Sequence, residues 1–346
     1  MQSNFNLKEY NTLQVNCVSK LYTEIESIYW LLQLLETKEW QENTHWVLGW
    51  GANTLFTSDF FDWIVIKMSI LWINILKETD ENIIIQVWAW ENWDNFVKYC
   101  VRNQLWGIEN LISIPWCVWA SAVWNIWAYW QEAWNCIKEI IWVNLETKTI
   151  QKIKKSECNF WYRDSIFKNE LKGKFIITHI VFSLKKISTS YEFTTSYKDV
   201  EEYFYNHSID FNNLPLDQKI GTISSVIAEI RDNKLPDYHK IWTAGSYFKN
   251  PEIPPSQRGK LHIKFPELKA HTTKGGTMKL SAWQLIELCW WKWKAINKVK
   301  MYEKHALILV NEWSSWEAVV EYANTVKKSV QEKFWVCLVP EVIYAE

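Results

Sequence analysis

The chain has 346 residues, a net charge of -1 at neutral pH and a pI near 6.7. This length indicates two or three lobes with sizeable cores, and the near-neutral charge provides no basic field to attract nucleic acid. The first ten residues lack an apolar signal region, and no run reaches the roughly 18 apolar residues of a membrane-spanning helix, so we expect a cytoplasmic protein without a membrane partner.

The cysteines argue for a reducing compartment. There are seven, they are scattered along the chain, and no two are spaced as Cys-X-X-Cys. An odd, scattered set is typical of free thiols, and it favours neither a disulfide scaffold nor a zinc site. We therefore expect no metal.

The first predicted element is a helix. Thr23 and Glu26 form a capping box, and apolar residues follow at helical spacing, which predicts an amphipathic helix from about 24 to 37. The short apolar segments 46–48 and 64–67 then predict two strands.

The sequence GWGANTLF, from Gly49 to Phe56, lies between those strands. A glycine-rich turn followed by Asn53 and Thr54 can form a nest of backbone amides for an anion such as a pyrophosphate. Such turns are also common for structural reasons alone, and the turn by itself leaves that alternative open.

A strand at 83–89 and a helix at 91–105 lead into the segment 112–132, which has neither a helical nor a strand period. Long loops inside a compact domain are usually functional, so we expect the rest of the chain to be organised around this one. A hairpin of 137–143 with 149–154 and a strand at 175–184 follow.

The pattern changes near residue 206. We predict a helix through Ile220 and Ile230, an irregular connection at 251–276 and a helix at 280–289. A strand at 305–310, a long helix and a terminal strand at 336–344 complete the chain. We expect FAD-binding subdomains at 1–70 and 71–205 and a substrate-binding domain at 206–346.

Tryptophan stands where glycine would be expected. The chain has 26 Trp and 9 Gly, whereas average usage of about 7% would give roughly 24 glycines. Tryptophans recur in the 112–132 loop, where turn chemistry favours a residue free to adopt positive φ, and Trp50 lies between two glycines. We therefore hypothesise that the gene is read with UGA as glycine. Trp93, on an ordinary helical face, is the best candidate for a true tryptophan.

With glycine at those positions, the chain resembles the UDP-N-acetylenolpyruvoylglucosamine reductase family, type I branch. The resemblance covers nearly the whole chain and rests on ordered segments, which are far more specific together than any one alone. The segments are VLGWGANTLF at 47–56, IPWCVWASAVWNIWAYWQE at 114–132, CNFWYRDSIFK at 158–168, GSYFKNP at 245–251 and FWVCLVPEV at 334–342.

The resemblance implies an α+β flavoprotein that uses FAD and NADPH. Its bipartite FAD-binding module would be of the vanillyl-alcohol-oxidase or PCMH type, followed by a C-terminal α+β substrate-binding domain. The implied reaction reduces UDP-N-acetylglucosamine enolpyruvate to UDP-N-acetylmuramate for peptidoglycan, and we expect a monomer. The alternatives are another FAD-linked oxidase of this fold, or an inactive homologue if the tryptophans are real.

The resemblance also implies three catalytic residues. Arg163 would face the enolpyruvyl carboxylate, where a fixed guanidinium stabilises the charge that grows during reduction. Ser246 would protonate the α-carbon, which for a serine requires a nearby cation and dry surroundings. Glu341, predicted within an apolar terminal strand, would lie beside the enol intermediate, and burial there would demand a partner or a raised pKa.

Binding roles complete the implied site. Tyr197, Lys234, Asn250 and His305 match substrate-contacting positions, although Lys234 taken alone is an ordinary surface lysine and His305 an ordinary core or surface histidine. The residues implied to hold the flavin are Gly49, Trp50, Gly51, Ala52, Asn53 and Thr54 on the first turn, and Ile114, Pro115, Trp116, Trp119, Ser121, Asn125, Ile126 and Trp127 on the second.

Overall fold

A computed structural model describes residues 1–161, 163–186, 191–273 and 275–346. Helices and strands alternate along it, which confirms the predicted α+β class. The α-helices are α1 (Ile28–Leu35), α2 (Lys38–Glu42), α3 (Trp93–Arg102), α4 (Trp119–Trp124), α5 (Lys198–Asn206), α6 (Leu216–Lys234), α7 (Pro255–Lys264), α8 (Ala282–Leu288) and α9 (Trp316–Phe334).

The strands fall into a long N-terminal series and a shorter C-terminal one. They are β1 (Gln2–Asn6), β2 (Val18–Ile25), β3 (His45–Leu48), β4 (Thr54–Phe56), β5 (Phe60–Met68), β6 (Ile73–Glu78), β7 (Asn82–Trp88), β8 (Leu105–Trp106), β9 (Trp127–Ala128), β10 (Gln131–Glu132), β11 (Ile137–Asn144), β12 (Thr149–Lys154), β13 (Phe175–Lys186), β14 (Thr243–Ser246), β15 (Glu252–Ile253), β16 (Ala270–Thr272), β17 (Met278–Leu280), β18 (Ala295–Ile296), β19 (Val299–Tyr302), β20 (His305–Asn311) and β21 (Ile343–Ala345).

The chain forms two compact units, each assembled from separate segments. The first unit comprises Met1, Tyr22–Gly49 and Trp63–Asn233, and the second comprises Gln2–Leu21, Trp50–Asp62 and Lys234–Glu346. The second unit thus combines the C-terminal third of the chain with two short N-terminal segments.

The first unit is built on an antiparallel sheet of order β12-β11-β13-β7-β6, with β8 also paired to β13. Helix α3 buries Trp93, Phe96, Val97 and Cys100, the face expected from their spacing. The Trp93 and Phe182 rings lie 6.1 Å apart between helix and sheet. The predicted hairpin of β11 and β12 is confirmed, with Ile140 opposite Ile153.

The second unit contains an antiparallel sheet of order β14-β20-β19-β18. Helix α9 buries the predicted apolar face, including Val319, Val326 and Val330. The hydroxyl group of Tyr322 on the same face accepts a hydrogen bond from the Met301 amide at 3.1 Å and donates one to the Lys294 carbonyl at 2.8 Å. These bonds attach α9 to the chain around β18 and β19.

Several predicted elements differ from the structure. The helix expected from about 24 begins at Ile28, because residues through Ile25 extend β2, and Ser27 supplies the cap by accepting a hydrogen bond from the Trp30 amide. The region 251–276 is not wholly irregular. It contains α7, which starts at Pro255 because the first helical position tolerates proline's fixed φ and missing N–H.

The chain's end and its organising loop also differ from prediction. The terminal strand covers only Ile343–Ala345, which pair in parallel with β4. Residues 112–132 contain helix α4 and the short hairpin of β9 and β10. These pieces are too short to produce a readable period.

All seven cysteines are free thiols, and five of them are buried. No helix within the described ranges is long and apolar enough to cross a membrane. The same residues contain no group of three or more His, Cys, Asp or Glu side chains that could hold a metal ion.

Candidate active site

The first turn requires glycine at Gly51, which lies in the second unit. Its φ is +63°, and an added Cβ would lie 2.1 Å from the Tyr10 carbonyl oxygen. No other residue fits there. Trp50 beside it is exposed, Ala52 is half-buried, and Thr54 is buried at the start of β4.

Asn53 connects this turn to the C-terminal segment of the same unit. Its side-chain amide donates to the Glu341 carbonyl at 3.3 Å, and its own carbonyl accepts from the Ile343 amide at 3.0 Å. The Asn53 side chain therefore supports the fold as well as being a candidate cofactor ligand.

The second turn begins at Ser113, whose φ of +59° is left-handed. Ile114 is buried and Pro115 half-buried. The Trp116 amide donates to the Ile114 carbonyl at 2.9 Å, and the Trp116 carbonyl accepts from the Trp93 amide at 2.8 Å. The Ile114–Pro115 turn is thereby anchored to the start of α3.

Helix α4 and its C-terminal cap hold the rest of this loop. The buried Ser121 hydroxyl donates to the Val118 carbonyl at 2.7 Å. Asn125, left-handed with φ of +43°, donates through its side chain to Glu132 at 2.9 Å and to the Trp161 carbonyl at 3.1 Å. Ile126 is fully buried and Trp127 half-buried. Ser121 and Asn125 thus have structural partners in addition to the binding role assigned to them.

Gly49 and Trp119, one from each predicted flavin turn, meet in the first unit. A Cβ added to Gly49 would lie 3.3 Å from the Trp119 indole nitrogen. That buried nitrogen has no hydrogen-bond partner among the described residues. An indole ring therefore covers the glycine where the cofactor's pyrophosphate is expected to approach the backbone.

Arg163 lies beside the second turn. Its guanidinium carbon is 5.7 Å from the centroid of the Trp116 ring, and its φ is +55°. Two hydrogen bonds between Trp161 and Asp164 close the turn around it, and the Ser165 hydroxyl donates to the Val123 carbonyl at 2.9 Å. The structure thus places Arg163 next to the second turn, and its role toward the enolpyruvyl carboxylate stays a prediction. Tyr162 of the same motif lies outside the described residues.

Tyr197 precedes α5 and packs on the hairpin of β9 and β10. Its ring lies 4.7 Å from that of Tyr129 and 6.0 Å from that of Trp130. Burial, with a contribution from Asp199, raises the pKa of Tyr197. Tyr197 is therefore a neutral, half-buried hydroxyl near the second turn.

Ser246 and Glu341 lie on neighbouring segments of the second unit. Ser246 is the exposed last residue of β14, so the protein by itself does not provide the dry surroundings expected for a serine proton donor. The next residue, Tyr247, accepts a hydrogen bond from the Glu341 amide at 2.8 Å, and Phe248 bridges Pro340. Glu341 itself is half-buried and precedes β21. The prediction that it is buried within a strand was wrong, because the terminal strand begins only at Ile343 and Glu341 pairs with Tyr247 through its backbone amide.

The remaining predicted ligands also lie in the second unit. The Asn250 side-chain oxygen accepts from the Ala282 amide at 2.9 Å and so caps α8. Burial lowers the pKa of His305; Glu287 raises it, whereas Lys234 and Lys292 lower it further. His305 and Lys234 therefore interact electrostatically.

Sequence reasoning missed Arg231 and Tyr129. The Arg231 guanidinium donates two hydrogen bonds to the Ser113 carbonyl, at 3.3 and 3.1 Å. The only available signal was a basic residue on the predicted helix three positions before Lys234, and that pattern is common on solvated faces.

Comparison with solved structures identifies the type of fold. The chain is similar to the crystal structure of UDP-N-acetylenolpyruvylglucosamine reductase from Thermus caldophilus, with a TM-score of 0.67 and 20% identity over 98% of this chain and 96% of that one. The α+β architecture of that reductase is therefore shared.

Sequence relatives define the family. The chain is 33% identical to the UDP-N-acetylenolpyruvoylglucosamine reductase of Flavobacterium johnsoniae and 35% identical to that of Amoebophilus asiaticus, in both cases over 99% of this chain and 98% of the relative. A model of the C-terminal domain of this reductase matches residues 236–345. The chain belongs to the UDP-N-acetylenolpyruvoylglucosamine reductase family.

Proposed function

We propose that this chain catalyses the NADPH-dependent, FAD-mediated reduction of UDP-N-acetylglucosamine enolpyruvate to UDP-N-acetylmuramate, as a monomer in the cytoplasm. The observation that carries the proposal is likeness to reductases of this name over 99% of the chain. When bound, FAD would accept a hydride from NADPH and pass it to the substrate. Residues 1–70 and 71–205 are proposed to bind FAD, and 206–346 the substrate.

Each proposed catalytic residue has a chemical task. Reduction of an enolpyruvyl ether pushes charge toward its carboxylate, and the Arg163 guanidinium stabilises that charge. Ser246 delivers a proton to the α-carbon. The backbone hydrogen bond from the Glu341 amide to the Tyr247 carbonyl holds the segment that carries Glu341 next to the segment that carries Ser246.

Sugar-nucleotide contacts are assigned to the remaining residues. Lys234 is a cationic partner for the diphosphate, and its electrostatic effect on His305 supports placing both at the same subsite. Tyr197 offers a hydroxyl and an aromatic face. Asn250 caps α8 through its oxygen, which leaves its amide group as the donor to substrate.

We further infer that the natural protein carries glycine at many positions written as tryptophan. Four tryptophans, Trp130, Trp290, Trp313 and Trp335, have left-handed φ between 56° and 67°. Each is more than half exposed. A left-handed bulky residue is strained and gains little from an exposed ring, whereas glycine adopts this conformation freely.

The local motifs at three of these positions favour glycine. Tyr129 and Trp130, with φ of 48° and 62°, connect β9 to β10 as a two-residue hairpin turn with both central residues left-handed. Glycine is strongly preferred in such turns. Trp335 directly follows α9, and Trp290 follows the end of α8. Left-handed residues at helix C-termini are usually glycine.

Buried indoles provide independent support. Seven buried tryptophan nitrogens have no hydrogen-bond partner among the described residues, although buried polar groups are normally paired. They belong to Trp90, Trp106, Trp119, Trp134, Trp142, Trp291 and Trp316. Trp93 contrasts with them, because its indole nitrogen donates to the Leu111 carbonyl at 2.8 Å. This contact supports Trp93 as a true tryptophan.

FAD fits a form of the chain with glycine at 50, 116, 119 and 127 better than it fits the written sequence. With the indole present, Trp119 covers the backbone of Gly49 and blocks a pyrophosphate from approaching it. Glycine at 119 would remove the indole ring that covers Gly49. The fourteen positions assigned above on the two turns would then hold FAD, with glycine instead of tryptophan at 50, 116, 119 and 127.

The test compares two full-length proteins, one with the written sequence and one with glycine at 50, 116, 119 and 127. The glycine form is expected to bind FAD, turn yellow and oxidise NADPH only when the enolpyruvyl nucleotide is present. Oxygen consumption with an alcohol instead would favour the oxidase alternative. Equal flavin binding by the written sequence would overturn the glycine inference. UGG codons at 116, 119 and 127 would also overturn it, and they would favour the inactive-homologue alternative.

A further inference from the structure

Arg231 holds one carbonyl group at the entrance to the second turn. Its Nε and Nη2 atoms lie 3.3 and 3.1 Å from the Ser113 carbonyl oxygen, and both donate hydrogen bonds to it. Ser113 immediately precedes the Ile114–Pro115 pair proposed to face the flavin. The contact joins α6 to a turn 118 residues earlier in the chain.

Asp94 holds the other side of Ser113. The Ser113 amide donates to the Asp94 carboxylate at 2.6 Å, and the same carboxylate is paired with Lys98 at 2.6 Å. Side chains from α3 and α6 therefore fix the two peptide units that flank Ser113. A non-glycine residue in the left-handed region costs about 1–3 kcal/mol and persists only where its surroundings impose it. Asp94 and Arg231 are those surroundings.

Arg231 also interacts with Tyr129, which lies next to the turn. Burial raises the pKa of Tyr129 to about 12, while the positive charge of Arg231 and a hydrogen bond with it oppose that rise. The Tyr129 ring packs on Tyr197 at 4.7 Å. Arg163 is close enough to Arg231 for their charges to repel. The Arg231 guanidinium therefore hydrogen-bonds to Ser113 at the second turn and interacts electrostatically with Tyr129 and Arg163.

We propose that Arg231 is a positioning residue that, together with Asp94, locks Ser113 in its left-handed conformation and thereby orients the Ile114–Pro115 turn for the cofactor. The planar guanidinium presents two N–H groups in a fixed fork, which lysine cannot reproduce. Support of this kind keeps a binding turn within the small tolerance that catalysis needs. The flavin part of the proposal rests on the proposed function.

Hydrogen exchange of the ligand-free chain tests the lock without any cofactor. Arg231→Lys is expected to raise the exchange rates of the Ser113, Ile114 and Trp116 amides by about tenfold, which corresponds to about 1.4 kcal/mol of local opening. Arg102→Lys, at an exposed position of α3, is the matched control and should leave those amides unchanged. Unchanged exchange in Arg231→Lys would overturn the proposal.

Asp94→Asn provides a second route if Arg231→Lys does not fold. It keeps the shape of the side chain but removes the charge that holds the Ser113 amide, and the same amides should exchange faster. The two substitutions act on one residue, so the double variant should show less than the sum of the single effects. Full additivity of two independent effects would contradict a shared lock.

Flavin affinity tests the consequence in the glycine form. The dissociation constant for FAD is expected to rise about tenfold in Arg231→Lys, with the thermal midpoint close to that of Arg102→Lys. Faster amide exchange with unchanged FAD affinity would refute the positioning role. If the parent glycine form binds no FAD, the proposed function fails, while the exchange experiment still decides whether the lock exists.

Discussion

The indole nitrogen of Trp93 donates a 2.8 Å hydrogen bond to the Leu111 carbonyl oxygen, and the Trp93 side chain is fully buried. The ring also packs against Phe96 and Phe182. Trp290, in contrast, is 75% exposed and left-handed after α8. Because the two environments differ, replacement of each tryptophan by glycine should change the free energy of unfolding in opposite directions.

Trp290→Gly is expected to stabilise the written chain, and Trp93→Gly to destabilise it. Relief of left-handed strain should raise the free energy of unfolding by about 1 kcal/mol at 290, whereas loss of a buried aromatic side chain costs about 3–5 kcal/mol at 93. Urea denaturation measures both. Trp290→Ala is the matched control, because it removes the ring and keeps the strain. Equal stability of Trp290→Gly and Trp290→Ala would remove the backbone argument.

Arg163→Lys is expected to lower kcat/KM by about a hundredfold or more. Lysine keeps the positive charge but loses the planar fork that pairs with a carboxylate, and removal of one stabilising donor typically costs about 10²–10³ in rate. Substrate-dependent NADPH oxidation measures the effect in the glycine form. Arg102→Lys should retain parental activity, and a parental rate in Arg163→Lys would show that Arg163 does not serve the reaction.

Ser246→Ala should reduce product formation by about 10²–10⁴, the usual contribution of a positioned proton donor. Ser246 is exposed at the end of β14, so its loss should change the thermal midpoint little. Ser256→Ala, an exposed serine of α7, is the control. Product is measured by chromatography of the sugar nucleotide. If Ser246→Ala retained the parental rate, another group would have to be the proton donor.

Stability should fall as the pH falls from 6.5 toward 4. Burial, with a contribution from Lys152, lowers the pKa of His179 from 6.5 to about 4. Between those values the unfolded chain binds more protons than the folded one, and stability is lost as pH decreases. Because His179 is only partly buried, we expect its share of the loss to be about 1–2 kcal/mol.

Urea denaturation at about pH 7 and about pH 5 measures the free energy of unfolding, which should be lower at the lower pH. His179→Gln should flatten the pH dependence, whereas His271→Gln, at an exposed position of β16, should leave it as in the parent. An unchanged slope in His179→Gln would assign the dependence to other groups.

Local pattern predicted most of the long elements. The apolar spacing of Val319, Val326 and Val330 on α9, and the β-branched run of β7, were confirmed because each long element buries a regular set of side chains. Short elements were missed. Helix α4 and the two-residue strands β9 and β10 are held by hydrogen bonds such as Ser121 to Val118 and Asn125 to Glu132, which no periodicity reveals.

The sequence by itself determined the family, the order of the motifs and the anomaly of tryptophan in place of glycine, because these depend only on residue identity and spacing. Tertiary structure decided which backbone positions are left-handed, which indoles lack a partner, and that Arg231 and Asp94 meet at Ser113. Those features arise from contacts between segments far apart in the chain. Their energies depend on distances and burial that only the folded molecule defines.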